Sequence, residues 1–312
     1  MKFSVVIPTY RGLARLRENL PGVFAAAKKA GSDYEIIIVD DGSGDGTAEF
    51  LATEYSTARV LRHEVNQGFI PSVNDGVATA SNAIVFLLNN DVKVAEDCFT
   101  RAIGYFQDSA LFAVTFKALY PGTLQFREGA KGVRFRAGFI RILHAERDRP
   151  RPLPDGRTPS LYPVGGHCAV RKSMFQELNG LDPLFAPFYW EDADLGYRAW
   201  KRGWKTVYAP ECEVIHNEKG TIRSLHDRQY IRNIRNRNRL LFMWKNLDDF
   251  GMSLLHRTFI VLRVLFSWLW GDADFYRQLG AALNKKGEML ASRNLRLERK
   301  ETFPDSGILK SL

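Results

Sequence analysis

Cysteine is scarce in this chain and shows no pairing pattern. Cys98, Cys168 and Cys212 are all that 312 residues contain. Their wide spacing fits neither a disulfide framework nor a zinc site, so a reducing compartment is expected. A long apolar run is also lacking. The strongest stretch, "SLLHRTFIVLRVLFSWLW" from Ser253, is broken by Arg257 and Arg263, which argues against a spanning helix. The N-terminal "MKFSVVIPTY" meets Pro8 almost at once and offers no small-residue cleavage site, so no signal peptide is expected. Internal repeats are absent.

What is present reads as globular. Hydrophobic residues make up 45% and charged residues 25%, enough for a full core and outside the disordered range. The net charge is +9 and unevenly spread. Residues 217–312 carry +8, residues 127–157 carry +5, and the remainder carries −4. Such a distribution implies an anionic partner surface, lipid or nucleic acid, or solvated helix faces.

Strand and helix signals alternate through residue 108. "FSVVIPTY", "YEIIIVDD", "ARVLRHE" and "AIVFLLNND" read as buried strands. Helical spacing follows each of them, so a parallel, doubly wound α/β sheet is the expected class. From 121 to 163 the chain turns Gly-, Pro- and Arg-rich. Alternation in "VRFRAGFIRIL" predicts a hairpin, and "RDRPRPLPDGRTP" predicts a mobile loop. A helix near 171–178, a strand "KTVYAPECEVIH" and a basic helical region from 217 complete the pattern.

Three strands end in polar residues, at Pro8-Thr9-Tyr10, at Asp40-Asp41-Gly42-Ser43 and at Asn89-Asn90-Asp91. Asn and Asp are ordinary turn residues. The carboxyl ends of parallel strands are also where open α/β sheets bind ligands. "GSGDGT" resembles a phosphate loop, yet it lacks the P-loop lysine and the dinucleotide spacing, and Asp45 or Thr47 could simply cap the next helix.

Taken in order, "VVIPTY", "IIIVDDGSGDGT", "NQGFIPSVNDG", "FLLNND", "EDADLGYRAWKRG" and "VIH" resemble glycosyltransferase family 2, of the GT-A fold. The branch they resemble most is that of bacterial rhamnosyltransferases and galactofuranosyltransferases. The resemblance covers residues 1–245. It implies a GT-A catalytic domain over 1–216, with a nucleotide-sugar half (1–110) and an acceptor half (111–216), followed by a basic helical region (217–312). It implies inverting transfer of a hexosyl or deoxyhexosyl group from a UDP-, dTDP- or GDP-sugar to a glycan or lipid-linked glycan in cell-surface polysaccharide synthesis.

By the same resemblance, Asp91 and His216 would hold a divalent cation, Mn²⁺ or Mg²⁺. The family's Asp-x-Asp is here Asn89-Asn90-Asp91, so one carboxylate is replaced. Pro8, Thr9, Tyr10, Asp41, Asn66, Gly68, Asn74, Asn89 and Asn90 would contact the donor. Asp192 would be the general base, because an attacking hydroxyl must lose a proton. Gly166, Trp190, Glu191 and Asp194 would serve the acceptor.

Arg228, Arg232, Arg235 and Arg239 fall on one helical stripe, by default a solvated face. With the apolar stretch that follows, they also suggest a helix lying on an anionic bilayer. The expected location is therefore cytoplasmic and peripheral to the membrane. A helix buried in the fold or in an oligomer interface is the alternative. No nucleic-acid partner is expected, since charge alone suggests one. A sugar-phosphate nucleotidylyltransferase would need a glycine-rich basic loop after the first strand, where only Arg11-Gly12 stands. A non-catalytic nucleotide-sugar-binding subunit would have no need of Asp91, Asp192 and His216.

Overall fold

The computed structural model describes residues 1–31, 33–144, 152–216, 226–299 and 301–312. The first part of the expected mobile loop and the entry to the basic region lie outside the described residues. Four parallel strands form half of the central sheet. These are β1 (Phe3–Thr9), β2 (Tyr34–Asp40), β3 (Arg59–Arg62) and β4 (Ile84–Leu88), in the order β3-β2-β1-β4. Helices α1 (Leu13–Ala30), α2 (Thr47–Glu54) and α3 (Phe69–Thr79) make the crossovers. The two inner strands are buried on both faces, which is why they are continuous apolar runs.

The second half of the sheet is mixed. After β5 (Val92–Val94) and α4 (Cys98–Tyr105), β6 (Leu111–Leu119) runs parallel to β12 (Lys205–His216). Between β4 and β6 lies β11 (His167–Arg171), antiparallel to both. The short β7 (Phe126–Glu128) pairs with β6, while β5 and β10 (Thr158–Pro159) pair with β12. The expected hairpin is β8 (Lys131–Arg136) with β9 (Phe139–His144), a separate two-stranded sheet. Its turn is Ala137-Gly138, with φ of 50° and 74°, the left-handed pair that a two-residue hairpin loop needs.

Cores lie on both faces of the sheet. One holds α1, α2 and α4. The other joins α3, α5 (Lys172–Glu177) and α6 (Glu191–Lys201) to the C-terminal helices. Those helices are α7 (Arg228–Asn246), α8 (Phe250–Phe266), α9 (Ala273–Asn284), α10 (Lys286–Leu297) and α11 (Asp305–Ser311). Leu241, Phe242 and Met243 of α7 sit in the same core as Val85 and Leu87 of β4. Buried Asn238 of α7 donates to the carbonyls of Phe185, Phe188 and Tyr189, which fixes the loop leading into α6. All three cysteines are free and buried.

Candidate active site

A cleft of about 1180 Å³ opens along the carboxyl ends of β1, β2 and β4. Its position follows from the register. Thr9 lies beside Asp40 across the β1–β2 ladder, and Asn90 Nδ2 donates to Thr9 Oγ1 at 2.8 Å. Gly12 passes so close that a Cβ there would overlap both Thr9 Oγ1 and Asn90 Nδ2. Pro8, Thr9, Tyr10, Asn66, Gly68, Asn89 and Asn90 all line this end. Asp41 lines it too, but its carboxylate accepts from the backbone N–H groups of Gln67 and Gly68, each at 2.8 Å, and contacts His63 Nδ1. Its local work is to hold the 66–68 loop against the strand end.

The glycine loop after β2 makes helix caps. Asp45 accepts from Thr47 N and Thr47 Oγ1, and its second oxygen accepts from Leu13 N at the start of α1.

Asp91 and His216 arrive from different parts of the sheet, through the antiparallel pairing of β5 with the end of β12. His216 Nε2 lies 3.4 Å from Asp91 Oδ1, and both residues are buried. Burial opposes ionisation of Asp91, but the imidazole and the charge of Arg15 outweigh it and hold the carboxyl below its ordinary range. On the far side of the ring, His216 Nδ1 lies 3.7 Å from Glu128 Oε1. Donor atoms of Glu128, His167 and His216 lie within 4.8 Å of one another. Neither nitrogen of His167 has a hydrogen-bond partner, although the residue is fully buried, and burial pushes its pKa down to about 3. Burial opposes the charged form of His216, but Asp91 and Glu128 favour it and raise its pKa. Carboxylate oxygens suit hard cations such as Mn²⁺, while imidazole nitrogens suit transition-metal dications. These residues therefore fit a divalent cation.

Glu128 and His167 were missed in the sequence. His167 had a faint signal in its place directly after Gly166, as the first residue of β11. Glu128 had none, because β7 has three residues and only its pairing with β6 carries Glu128 to the cleft.

The acid motif opens α6. Tyr189 and Trp190 both have positive φ, 69° and 79°, unusual for two adjacent aromatic residues and a mark of strain held at a functional turn. Trp190, Glu191 and Asp192 line the cleft, as does Gly166 opposite them. Gly166 lies so close to Asn89 that a Cβ there would sit 2.5 Å from Asn89 Nδ2 and displace that side chain. Burial raises Glu191 to about 8, with the charge of Asp192 adding to it, and burial raises Asp192 to about 6. Glu191 Oε2 has no hydrogen-bond partner.

Two expected site residues lie elsewhere. Asn74 spends its amide on Leu181, accepting from its N–H at 2.9 Å and donating to its carbonyl at 2.8 Å, and it does not line the cleft. Asp194 faces the interior, where it bonds Arg198, Lys245 and Asn246. Two residues, about 200° around the helix, separate the two outcomes. Position 192 falls on the cleft side of α6 and 194 on the core side. The arginine stripe is also divided. Arg232 pairs with Asp274, whereas Arg235 and Arg239 line the cleft.

Comparison with known proteins agrees with this architecture. An L-rhamnosyltransferase of Mycobacterium tuberculosis, named for N-acetylglucosaminyl-diphospho-decaprenol, is 26% identical over 241 residues. That match covers 69% of this chain and 75% of the relative. The structure of GalNAc-T7 with UDP, GalNAc and Mn²⁺ superposes with a TM-score of 0.61 at 17% identity, over 80% of this chain and 49% of that one. S. aureus TarS 1–349 with UDP-GlcNAc gives 0.58 at 14% identity, over 94% and 81%. The fold is GT-A, a mixed α/β sheet with a C-terminal helical region. Residues 4–178 match the model of glycosyl transferase family 2, and the chain belongs to that family.

Proposed function

We propose that this glycosyltransferase moves a sugar, with inversion, from a nucleoside diphosphate to a glycan or lipid-linked glycan. One observation carries the reading. A single cleft holds the Asp91–His216 pair beside a polar strand-end platform, and it also holds two buried carboxyls with separated pKa values. Burial raises both carboxyls, and the charge of Asp192 adds to the rise at Glu191, so one member of the pair can hold a proton while the other accepts one. Asp192 takes the proton from the acceptor hydroxyl, and Glu191 can donate a hydrogen bond to the acceptor. The hydroxyl oxygen forms the new bond at the anomeric carbon, and the bond to the diphosphate breaks, its electron pair leaving with the nucleotide. Asp91 and His216 would hold Mn²⁺ or Mg²⁺, whose positive charge offsets that of the departing diphosphate. Glu128 places its carboxylate 3.7 Å from His216 Nδ1, on the side of the ring away from Asp91. Residues 1–216 carry the catalysis in this reading, and 217–312 buttress α6 and meet the membrane.

A thermal-shift screen tests the donor side. A UDP-, dTDP- or GDP-sugar with Mn²⁺ is expected to raise the melting temperature by mass action, about 2.7 kcal/mol at a ligand concentration 100 times Kd. If none of the three does so, with or without metal, the donor assignment is wrong.

An inverted helix supports a place at the membrane surface. In α8 and the turn after it, the polar residues His256 and Ser267 are buried. Phe250, Leu254, Val261, Leu265, Trp268 and Leu269 are each more than half exposed. Apolar surface so concentrated marks an interaction site. The 20 residues Phe250–Leu269 have a mean hydropathy of 1.3, enough by length and composition to cross a bilayer. Both ends, however, are tied to one body. Asp248 N and Asp249 N donate to Asp305, Arg263 pairs with Asp272, and α9 returns to α7 through Gln278 and Asn233. A helix held in this way lies along a membrane surface, with Trp268 at headgroup level and Arg257 exposed beside the apolar residues. The protein is expected to sediment with phosphatidylglycerol liposomes and to resist full release by salt, because apolar insertion is not screened. Leu262→Glu with Leu265→Glu should abolish that binding. Failure of the parent protein to bind such liposomes would remove the membrane assignment.

A further inference from the structure

Beside the carboxylate end of the cleft lies a cluster of arginines that the mechanism above does not use. Arg134 and Arg141 stand directly opposite each other on the β8–β9 ladder. Directly opposed residues of an antiparallel pair project from the same face, and like charges there are unfavourable. Arg235 and Arg239 are four apart on α7, where like charges again repel. All four line the one cleft. Among the described residues, no carboxylate pairs with any of them. Several other arginines of the chain do have carboxylate partners. Arg157 meets Asp108 and Asp155, Arg198 meets Asp194, Arg263 meets Asp272, and Arg296 meets Asp248 and Glu301.

Arg239 shows how the cluster is held together. Its Nη2 donates to the Ile140 carbonyl at 2.9 Å, and its guanidinium lies over the Phe139 ring at 4.5 Å. Burial, with the charges of Arg141, Arg263 and Arg235, brings its pKa down to about 10. The charged neighbours that lower it most are arginines. Four arginines thus line one cleft without an ion-pair partner among the described residues, an arrangement that favours an anionic ligand.

The hairpin also joins this cluster to the exposed apolar helix. Gly138, at the hairpin tip, accepts from His256 Nδ1 at 2.7 Å and packs against Phe259 so closely that a Cβ would lie 2.8 Å from that side chain. A ligand anionic at one end and apolar at the other matches this layout. The Asp91–His216 end is already the place for the donor diphosphate.

We infer that Arg134, Arg141, Arg235 and Arg239 form a subsite for the diphosphate of a lipid-diphosphate-linked acceptor, whose hydrocarbon chain runs toward the hairpin tip and α8. Planar guanidiniums grip phosphate oxygens in pairs, which suits a diphosphate better than a neutral alcohol. The inference rests on the transferase reading only in calling that ligand an acceptor.

The test uses the full chain in EDTA, so that metal-assisted binding at the donor end makes no contribution. Affinity is measured for farnesyl diphosphate, farnesol and inorganic pyrophosphate, and for phosphatidylglycerol vesicles. Farnesyl diphosphate should bind at least about tenfold more tightly than farnesol or pyrophosphate, and its affinity should fall as salt rises. Arg134→Gln with Arg141→Gln should weaken it at least about tenfold. Both side chains are exposed, so the fold should tolerate the change, and the thermal shift given by a nucleotide sugar with Mn²⁺ should persist as a check. Equal affinity for farnesol, or no effect of the double variant, would overturn the subsite. Pyrophosphate binding as tightly as farnesyl diphosphate would overturn its lipid character. Loss of vesicle binding with farnesyl diphosphate affinity unchanged would make the arginines a headgroup contact instead. If the arginines prove necessary for farnesyl diphosphate while no nucleotide sugar binds, the subsite stands and the transferase reading fails. The reverse result removes the subsite alone.

Discussion

Asp192→Asn is expected to lower kcat by about 10²–10⁴-fold, the usual contribution of a positioned general base. Asn keeps the shape of the side chain and can still accept from Ala193 N, which the parent carboxylate does at 2.7 Å. It cannot take a proton. Donor affinity should be nearly unchanged, since Asp192 lies in the acid motif and not on the strand-end platform. The pH profile gives a second readout. Burial raises the Asp192 pKa to about 6, so the parent enzyme should lose activity as pH falls through that value and the base becomes protonated. The variant should lack this limb and run at a low, flat rate across it. Equal loss of donor binding would mean that Asp192 is structural. A variant retaining parental kcat would mean that another group takes the proton.

Asp91→Ala is expected to abolish turnover and to erase the Mn²⁺-dependent part of nucleotide binding. Removing this carboxylate takes away the group that His216 Nε2 faces at 3.4 Å, and the only carboxylate of the Asn89-Asn90-Asp91 strand end. The measurement is the thermal shift with nucleotide diphosphate, in the presence and absence of Mn²⁺. The parent should show a metal-dependent increment and the variant none. His216→Asn should weaken Mn²⁺ binding in the same direction. Full activity of Asp91→Ala with either Mn²⁺ or Mg²⁺ would refute the assignment. Chelation of the parent by EDTA should reproduce the variant and be reversed by added Mn²⁺, which separates metal loss from misfolding.

The sequence by itself determined the class of fold and the polar strand-end side of the cleft. Both depend on local pattern. A strand buried on two faces is a continuous apolar run, and its register places its last residues beside those of its neighbours. Hence Thr9, Asp41 and Asn90 converge, as the strand ends at "IPTY", "VDD" and "LLNND" suggest. The "VRFRAGFIRIL" alternation likewise marked the β8–β9 hairpin. Only the tertiary structure decided matters that turn on long-range pairing or on which side of a helix is covered. Asp194 had the same local credentials as Asp192, but a buried Lys245 on a distant helix drew it into the core. Asn74 was drawn away by Leu181, more than a hundred residues later. Glu128 entered the cleft through a three-residue strand too short to carry any periodicity. The arginine stripe on α7 was legible as a stripe. Its division between solvent and cleft depended on where the hairpin docks. In the stretch from 253, His256 and Ser267 are buried, His256 against the Gly138 carbonyl, while Arg263 stays exposed beside Asp272 and the apolar residues are left outside. Amphipathic pattern fixes which residues share a face of a helix. Whether that face meets protein, water or lipid is set by partners that lie far away in the sequence.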